Sequence, residues 1–169
     1  MLSPCSFCSA DCCKNHYITV TAFDIARLSE KLGKRAEEFA VLYPLKLINY
    51  DNDTVLEIQE EGYTMEYVLC LKSHPCLFLE KNRCTIHDFS PSVCRMYPKQ
   101  INGNYNFGFC PAPSKIVFRM TGINMKNDFL AELKEYRRIV AEWNRKKGKK
   151  EDCLGFLVEK ARQLEQGSL

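Results

Sequence analysis

The chain has 169 residues, 46% of them hydrophobic and 27% charged, the balance of a globular domain with a core of its own. A formal charge of +3 is too small to argue for a nucleic-acid partner, and no run approaches the ~18 apolar residues that span a bilayer. The opening MLSPCSFCSADCCKNHY lacks the basic and apolar regions of a secretory leader, so the expected setting is the reducing cytoplasm, with no membrane partner.

After the N-terminal cysteines, TAFDIARLSEKLG predicts a helix. Thr21 is its N-cap, Asp24 its third residue, Ile25, Leu28 and Leu32 its apolar face, and Gly33 its stop. RAEEFAVLY repeats Ala36, Phe39, Ala40 and Tyr43 at helical spacing and predicts a further helix that Pro44 ends. TVLEIQ and YTMEYVLCL predict two strands joined as a hairpin at Glu60-Glu61-Gly62. HPCLFLEKNRCTIHDFSPSVCRMYP reads as compact and irregular, with Ser90-Pro91 as N-cap and first-turn proline of a short helix carrying Cys94. QINGNYNFGFCP predicts another hairpin, turning near Asn102-Gly103. Phe129, Leu133, Tyr136, Val140 and Trp143 form one apolar stripe, and Leu154, Leu157, Val158, Ala161 and Leu164 a second, so two packed helices are expected over about 126–166. The expected fold is a single, mostly helical α+β domain over 1–169, with short β-hairpins and the clustered cysteines in loops and turns.

Chemistry concentrates in the ten cysteines. Cys5, Cys8, Cys12 and Cys13 form C-x2-C-x3-C-C, and Cys76, Cys84, Cys94 and Cys110 lie between Pro75 and Pro111. Cys70 and Cys153 fall in a predicted strand and a predicted helix start, where a thiol serves as a small buried hydrophobe. In a reducing compartment, clustered cysteines point to metal or redox chemistry ahead of disulfides. The two-residue spacer of a C-x2-C knuckle lets both sulfurs converge on one ion, and zinc and cubane iron–sulfur clusters each take four such thiolates. Eight candidates make two sets of four or one polynuclear site, and adjacent Cys12 and Cys13 project differently enough to serve two centres. A thioredoxin-like relay would need its C-x2-C after a strand and at a helix N-terminus, and no strand is predicted before Cys5.

Four segments in order, CSFCSADCC, ITVTAFDIARLSEKLG, CLFLEKNRCTIHDFSPSVCRMYP and a final cysteine, resemble the YkgJ-like cysteine-cluster family, a zinc- or iron-chelating group that includes the flagellin lysine N-methylase. The resemblance spans about 5–110. It implies a metal role for Cys5, Cys8, Cys12, Cys13, Cys76, Cys84, Cys94 and Cys110, and matches a C-R-x-Y/F-P signature to Cys94-Arg95-Met96-Tyr97-Pro98. It implies zinc or an iron–sulfur cluster as cofactor. An enzyme that modifies a protein substrate and a zinc-stabilised interaction module both stay open. Two departures stand out. Ser9, Ala10 and Asp11 make a three-residue spacer where two residues, often with a glycine, are usual, and Ser90-Pro91 replaces Arg-Pro.

Other residues carry weaker signals. His87 sits C-x2-H from Cys84, but the family often has tyrosine there, so a structural role is expected. Arg95 is expected to offset thiolate charge, Tyr97 to pack, and the run Arg145 to Lys150 to form a solvated helix end. His16 suggests no particular role. Phosphate loops, dinucleotide fingerprints and nucleophile elbows are absent from the sequence, so no catalytic residue is assigned.

Overall fold

Thr21 opens the longest N-terminal helix as its sequence requires. Its hydroxyl accepts the Asp24 N–H at 3.1 Å while the Asp24 carboxylate accepts the Thr21 N–H at 3.2 Å, a reciprocal capping box. Gly33 ends the helix at φ 62°, the left-handed conformation that costs glycine least. The structure, a computed structural model, describes residues 9–48, 53–97, 113, 116 and 126–167. In chain order the elements are α1 (Asp11–Asn15), α2 (Ala22–Leu32), α3 (Ala36–Phe39), β1 (Ala40–Pro44), β2 (Leu56–Glu60), β3 (Tyr63–Leu71), β4 (Leu79–Glu80), β5 (Arg83–Cys84), α4 (Ser92–Met96), α5 (Lys126–Lys146) and α6 (Lys150–Gln166). This is the α+β class expected.

β1, β3 and β2 form a three-stranded antiparallel sheet with β3 in the middle. Leu42 pairs with Leu69 across β1–β3, and Ile58 with Met65 across β2–β3. The β2–β3 hairpin turns on Glu61 and Gly62, at φ 49° and 88°, the double positive φ of a tight two-residue loop. Leu42, Leu56, Ile58, Tyr67, Leu69 and Leu71 pack with α2, α5 and α6 in one core. Trp143 of α5 and Leu157 of α6 are completely buried there. The stripe predicted for α5 is buried throughout, and that of α6 except for Leu164, which is 40% exposed near the helix end.

Three sequence expectations need correction. The helix predicted through Tyr43 stops at Phe39, and Ala40–Pro44 is a strand. Ala36, Phe39 and Ala40 fit a period of 3.6, but Ala40 and Leu42 are buried while Val41 and Tyr43 are only half-buried, the period of two that a partner strand enforces. The Cys94 helix begins at Ser92, with Pro91 as N-cap. The Ser90 hydroxyl instead donates to His87 O at 3.0 Å. Finally, not all of the cysteines lie in loops. Cys12 and Cys13 ride on α1, and Cys84 belongs to a small β4–β5 ribbon turning on Lys81 and Asn82 at φ 47° and 62°. The hairpin expected near Asn102-Gly103 lies outside the described residues.

Candidate metal centre

β3 is the frame that brings Cys13 to Cys76. The chain running out of α1 lies beside the C-terminal half of β3, with Leu71 N–H donating to Ile18 O at 2.9 Å and Val20 N–H to Leu69 O at 3.0 Å. Tyr17 stacks on His74, ring centroids 5.0 Å apart, and packs against Tyr43 at 4.7 Å. These contacts bring α1 to the turn that follows β3, where Cys76 N–H donates to Cys13 O at 2.8 Å. The N-terminal cysteine helix is thereby joined directly to the central cysteine segment.

Within that segment the backbone serves the sulfurs. The Phe78 N–H points at the Cys76 sulfur, and the Ile86 N–H at the Cys84 sulfur. In each case the donor is two residues beyond the cysteine, an arrangement that favours the thiolate. Burial opposes it and on balance holds both thiols above their ordinary pKa. Cys94 is held higher still. Burial comes first among the causes, followed by the negative charges that Cys13, Asp24, Cys76 and Cys84 would present to it. Cys94 therefore lies within electrostatic reach of three other thiols, and a cation would offset their charge if they ionised together.

The placement of each candidate is as follows. Cys13, Cys76 and Cys84 come within electrostatic reach of Cys94, and Cys84 within that of Cys76. Cys12, half-buried, projects about 100° around the helix from Cys13. Cys5, Cys8 and Cys110 lie outside the described residues. Among the described residues no three His, Cys, Asp or Glu donors stand close enough to share an ion, and no disulfide joins the cysteines. Cys70 and Cys153 are fully buried in strand and helix. The side chain of His87 is 43% exposed and faces Asp88 at 3.7 Å, a surface residue. Ala10, in the three-residue spacer, is left-handed at φ 63°, a conformation easiest for the glycine usual in that spacer.

Sequence reasoning missed the polar network behind Cys94. Asp24, 2% exposed, accepts through Oδ1 from Ser92 N–H at 2.8 Å, Ser92 Oγ at 3.1 Å and Arg27 Nη2 at 2.8 Å. Arg27 Nη1 donates to Glu132 Oε2 of α5 at 2.6 Å, and Thr21 Oγ1 donates to Glu132 Oε1 at 2.8 Å. Burial works against the Arg27 charge, but the hydrogen bonds and charges of Glu132 and Asp24 outweigh it and hold the guanidinium above its ordinary range. Arg95 Nη2 donates to Ser92 Oγ at 3.2 Å, while its buried Nε meets no hydrogen-bond partner among the described residues. The capping box was legible; partners 68 and 105 residues away were not.

These features fit a thiolate-held cation: amides aimed at sulfur, a buried donor left over beside Cys94, and a donor set of the soft kind that selects zinc or iron–sulfur. Comparison with known families agrees. The model of the CxxCxxCC family, described as "Putative zinc- or iron-chelating domain", matches residues 4–111, close to two thirds of the chain. The chain belongs to this family. No curated protein and no solved structure matches it. Among the described residues no helix is long and apolar enough to cross a membrane.

Proposed function

We propose that the chain holds zinc or an iron–sulfur cluster in the cytoplasm through thiolates drawn from Cys5, Cys8, Cys12, Cys13, Cys76, Cys84, Cys94 and Cys110. The observation that supports this reading is the backbone hydrogen bond from Cys76 N–H to Cys13 O, which joins the N-terminal cysteine helix to the central cysteine segment, with Cys13, Cys76 and Cys84 all within electrostatic reach of Cys94. Each thiolate would neutralise part of the cation's charge, and the Phe78 and Ile86 amides would hold two of the sulfurs in orientation. Zinc would close a tetrahedral site; a cluster would supply redox-active iron from the same ligands.

The test is anaerobic purification followed by metal and acid-labile sulfide analysis of wild type and single Cys→Ser variants. Cys13→Ser, Cys76→Ser, Cys84→Ser and Cys94→Ser should each lower bound metal, because a hydroxyl does not replace a thiolate donor. Cys70→Ser and Cys153→Ser should retain it. Full occupancy in all of the first four variants would overturn the assignment.

A further inference from the structure

A buried carboxylate is expensive to keep in a fold, and capping α2 does not require one, since N-terminal caps work at the surface. Asp24 is nonetheless 2% exposed. Its Oδ2 serves α2, accepting the Thr21 N–H at 3.2 Å. Its Oδ1 serves another element, taking the backbone N–H and the hydroxyl of Ser92 at 2.8 and 3.1 Å. Ser92 is the first residue of α4 and stands two positions before Cys94. α4 has five residues, too short to hold its own place through helix propensity. Arg27 ties the arrangement to Glu132, and its Nη2 also donates to Ser92 Oγ at 3.2 Å.

Cys13 and Cys76 are fixed to each other and to β3 by backbone hydrogen bonds. Cys94 belongs to a different frame, which Asp24, together with the Arg27 bond to the Ser92 hydroxyl, joins to α2. We propose that Asp24 is a positioning residue for the metal centre: by holding Ser92, with Arg27 as counter-charge, it sets the Cys94 sulfur against the thiols of Cys13, Cys76 and Cys84. This rests on the metal-binding reading above and adds to it a residue that touches no metal.

The experiment compares metal retention with fold stability in four full-length proteins: wild type, Asp24→Asn, Ser92→Pro and Thr21→Ala. Each is loaded with zinc, or with iron and sulfide, whichever wild type takes up, and titrated with EDTA. Melting temperatures are read on the loaded and stripped forms. Proline suits a first helical position, whose N–H has no partner within the helix. Ser92→Pro therefore removes the N–H and the hydroxyl that bind Asp24, with the hydroxyl's bonds to Arg27 and Arg95, and spares the hydrogen bonds of α4 itself. Asp24→Asn and Ser92→Pro should lose metal at ~10–100-fold lower EDTA, the range for partners that orient metal ligands. Thr21→Ala removes the cap of α2 and the bond to Glu132, so it should melt earlier yet hold metal within about twofold of wild type.

Wild-type EDTA sensitivity in Ser92→Pro, with or without a folded Asp24→Asn protein, would overturn the proposal. So would an equal loss of metal in Thr21→Ala, which would make the whole network merely structural. A wild-type chain that takes up neither zinc nor iron and sulfide would overturn the metal reading itself, and the role of Asp24 with it.

Discussion

Cys70 and Cys153 behave as buried hydrophobes, and their acidity records it. Both are 0% exposed, and burial pushes each thiol from 9.0 up to about 12. The neutral thiol is favoured in the folded chain, whereas an unfolded chain ionises it near its ordinary value. Their contribution is therefore complete below about pH 9 and lost as pH rises towards 12. A Cys70→Ala/Cys153→Ala double variant lacks this dependence. The urea midpoint of wild type relative to the variant should be constant from about pH 7 to 8.5 and fall steadily from about pH 9.5 to 11. A flat difference across that range would contradict the burial. At this scale some roles were legible and some were not. Both cysteines could be assigned from their place in apolar runs, but Gly148 could not. In the sequence it is a pause in a basic run; in the fold, a Cβ there would lie 2.3 Å from the Trp143 ring. The charges around it are solvent-facing as expected, and the glycine is the packed residue.

Among the elements, β2 shows how the C-terminal helices complete the sheet. β2 is an edge strand, and an unpaired edge is a liability. Its outer backbone groups are covered by α5. Asn144 accepts the Glu57 N–H and donates to Val55 O, both at 2.9 Å, and the indole of Trp143 donates to Glu57 O at 3.0 Å. Asn144→Ala strands both backbone groups at once and should lower stability by about 1–3 kcal/mol. The expected readout is a lower urea midpoint with an unchanged slope and faster amide exchange at Glu57. Asn144→Asp keeps the acceptor and loses the donor, so it should fall between the two. Equal stability of Asn144→Ala and wild type would mean that water satisfies this edge. α2, α5, α6 and the β2–β3 hairpin were legible because caps, stripes and turn residues are local signals. β1 was not. Its strand state is imposed by pairing with Tyr67–Leu71, some thirty residues on, and a short apolar run does not declare its period alone.

For the molecule as a whole, the candidate metal-binding cysteines could be proposed from their clustering and from the family resemblance. What holds them together could not, because β3, Asp24 and Glu132 act across long stretches of chain. That long reach gives the last prediction. Cys13 and Cys76 are joined by a backbone hydrogen bond across about sixty residues of chain, and a metal bound on both sides would close the same loop. The unfolded chain offers no preformed site, so binding energy becomes folding energy for the entire domain and not for a local knuckle. Free metal at about a thousand times its Kd adds about 4 kcal/mol. In a chain of this size each kcal/mol moves Tm by about 2–4 °C. Stripping the metal should therefore lower Tm by roughly 8–16 °C. It should also speed trypsin cleavage after Lys14, on the α1 turn that carries Cys13. Calorimetry and limited proteolysis before and after chelation, with metal loss verified by elemental analysis, measure both. A drop in Tm without faster cleavage at Lys14 would place the metal's hold on the central segment alone. An unchanged Tm after verified loss would show that the hydrophobic core around Trp143 stands without it.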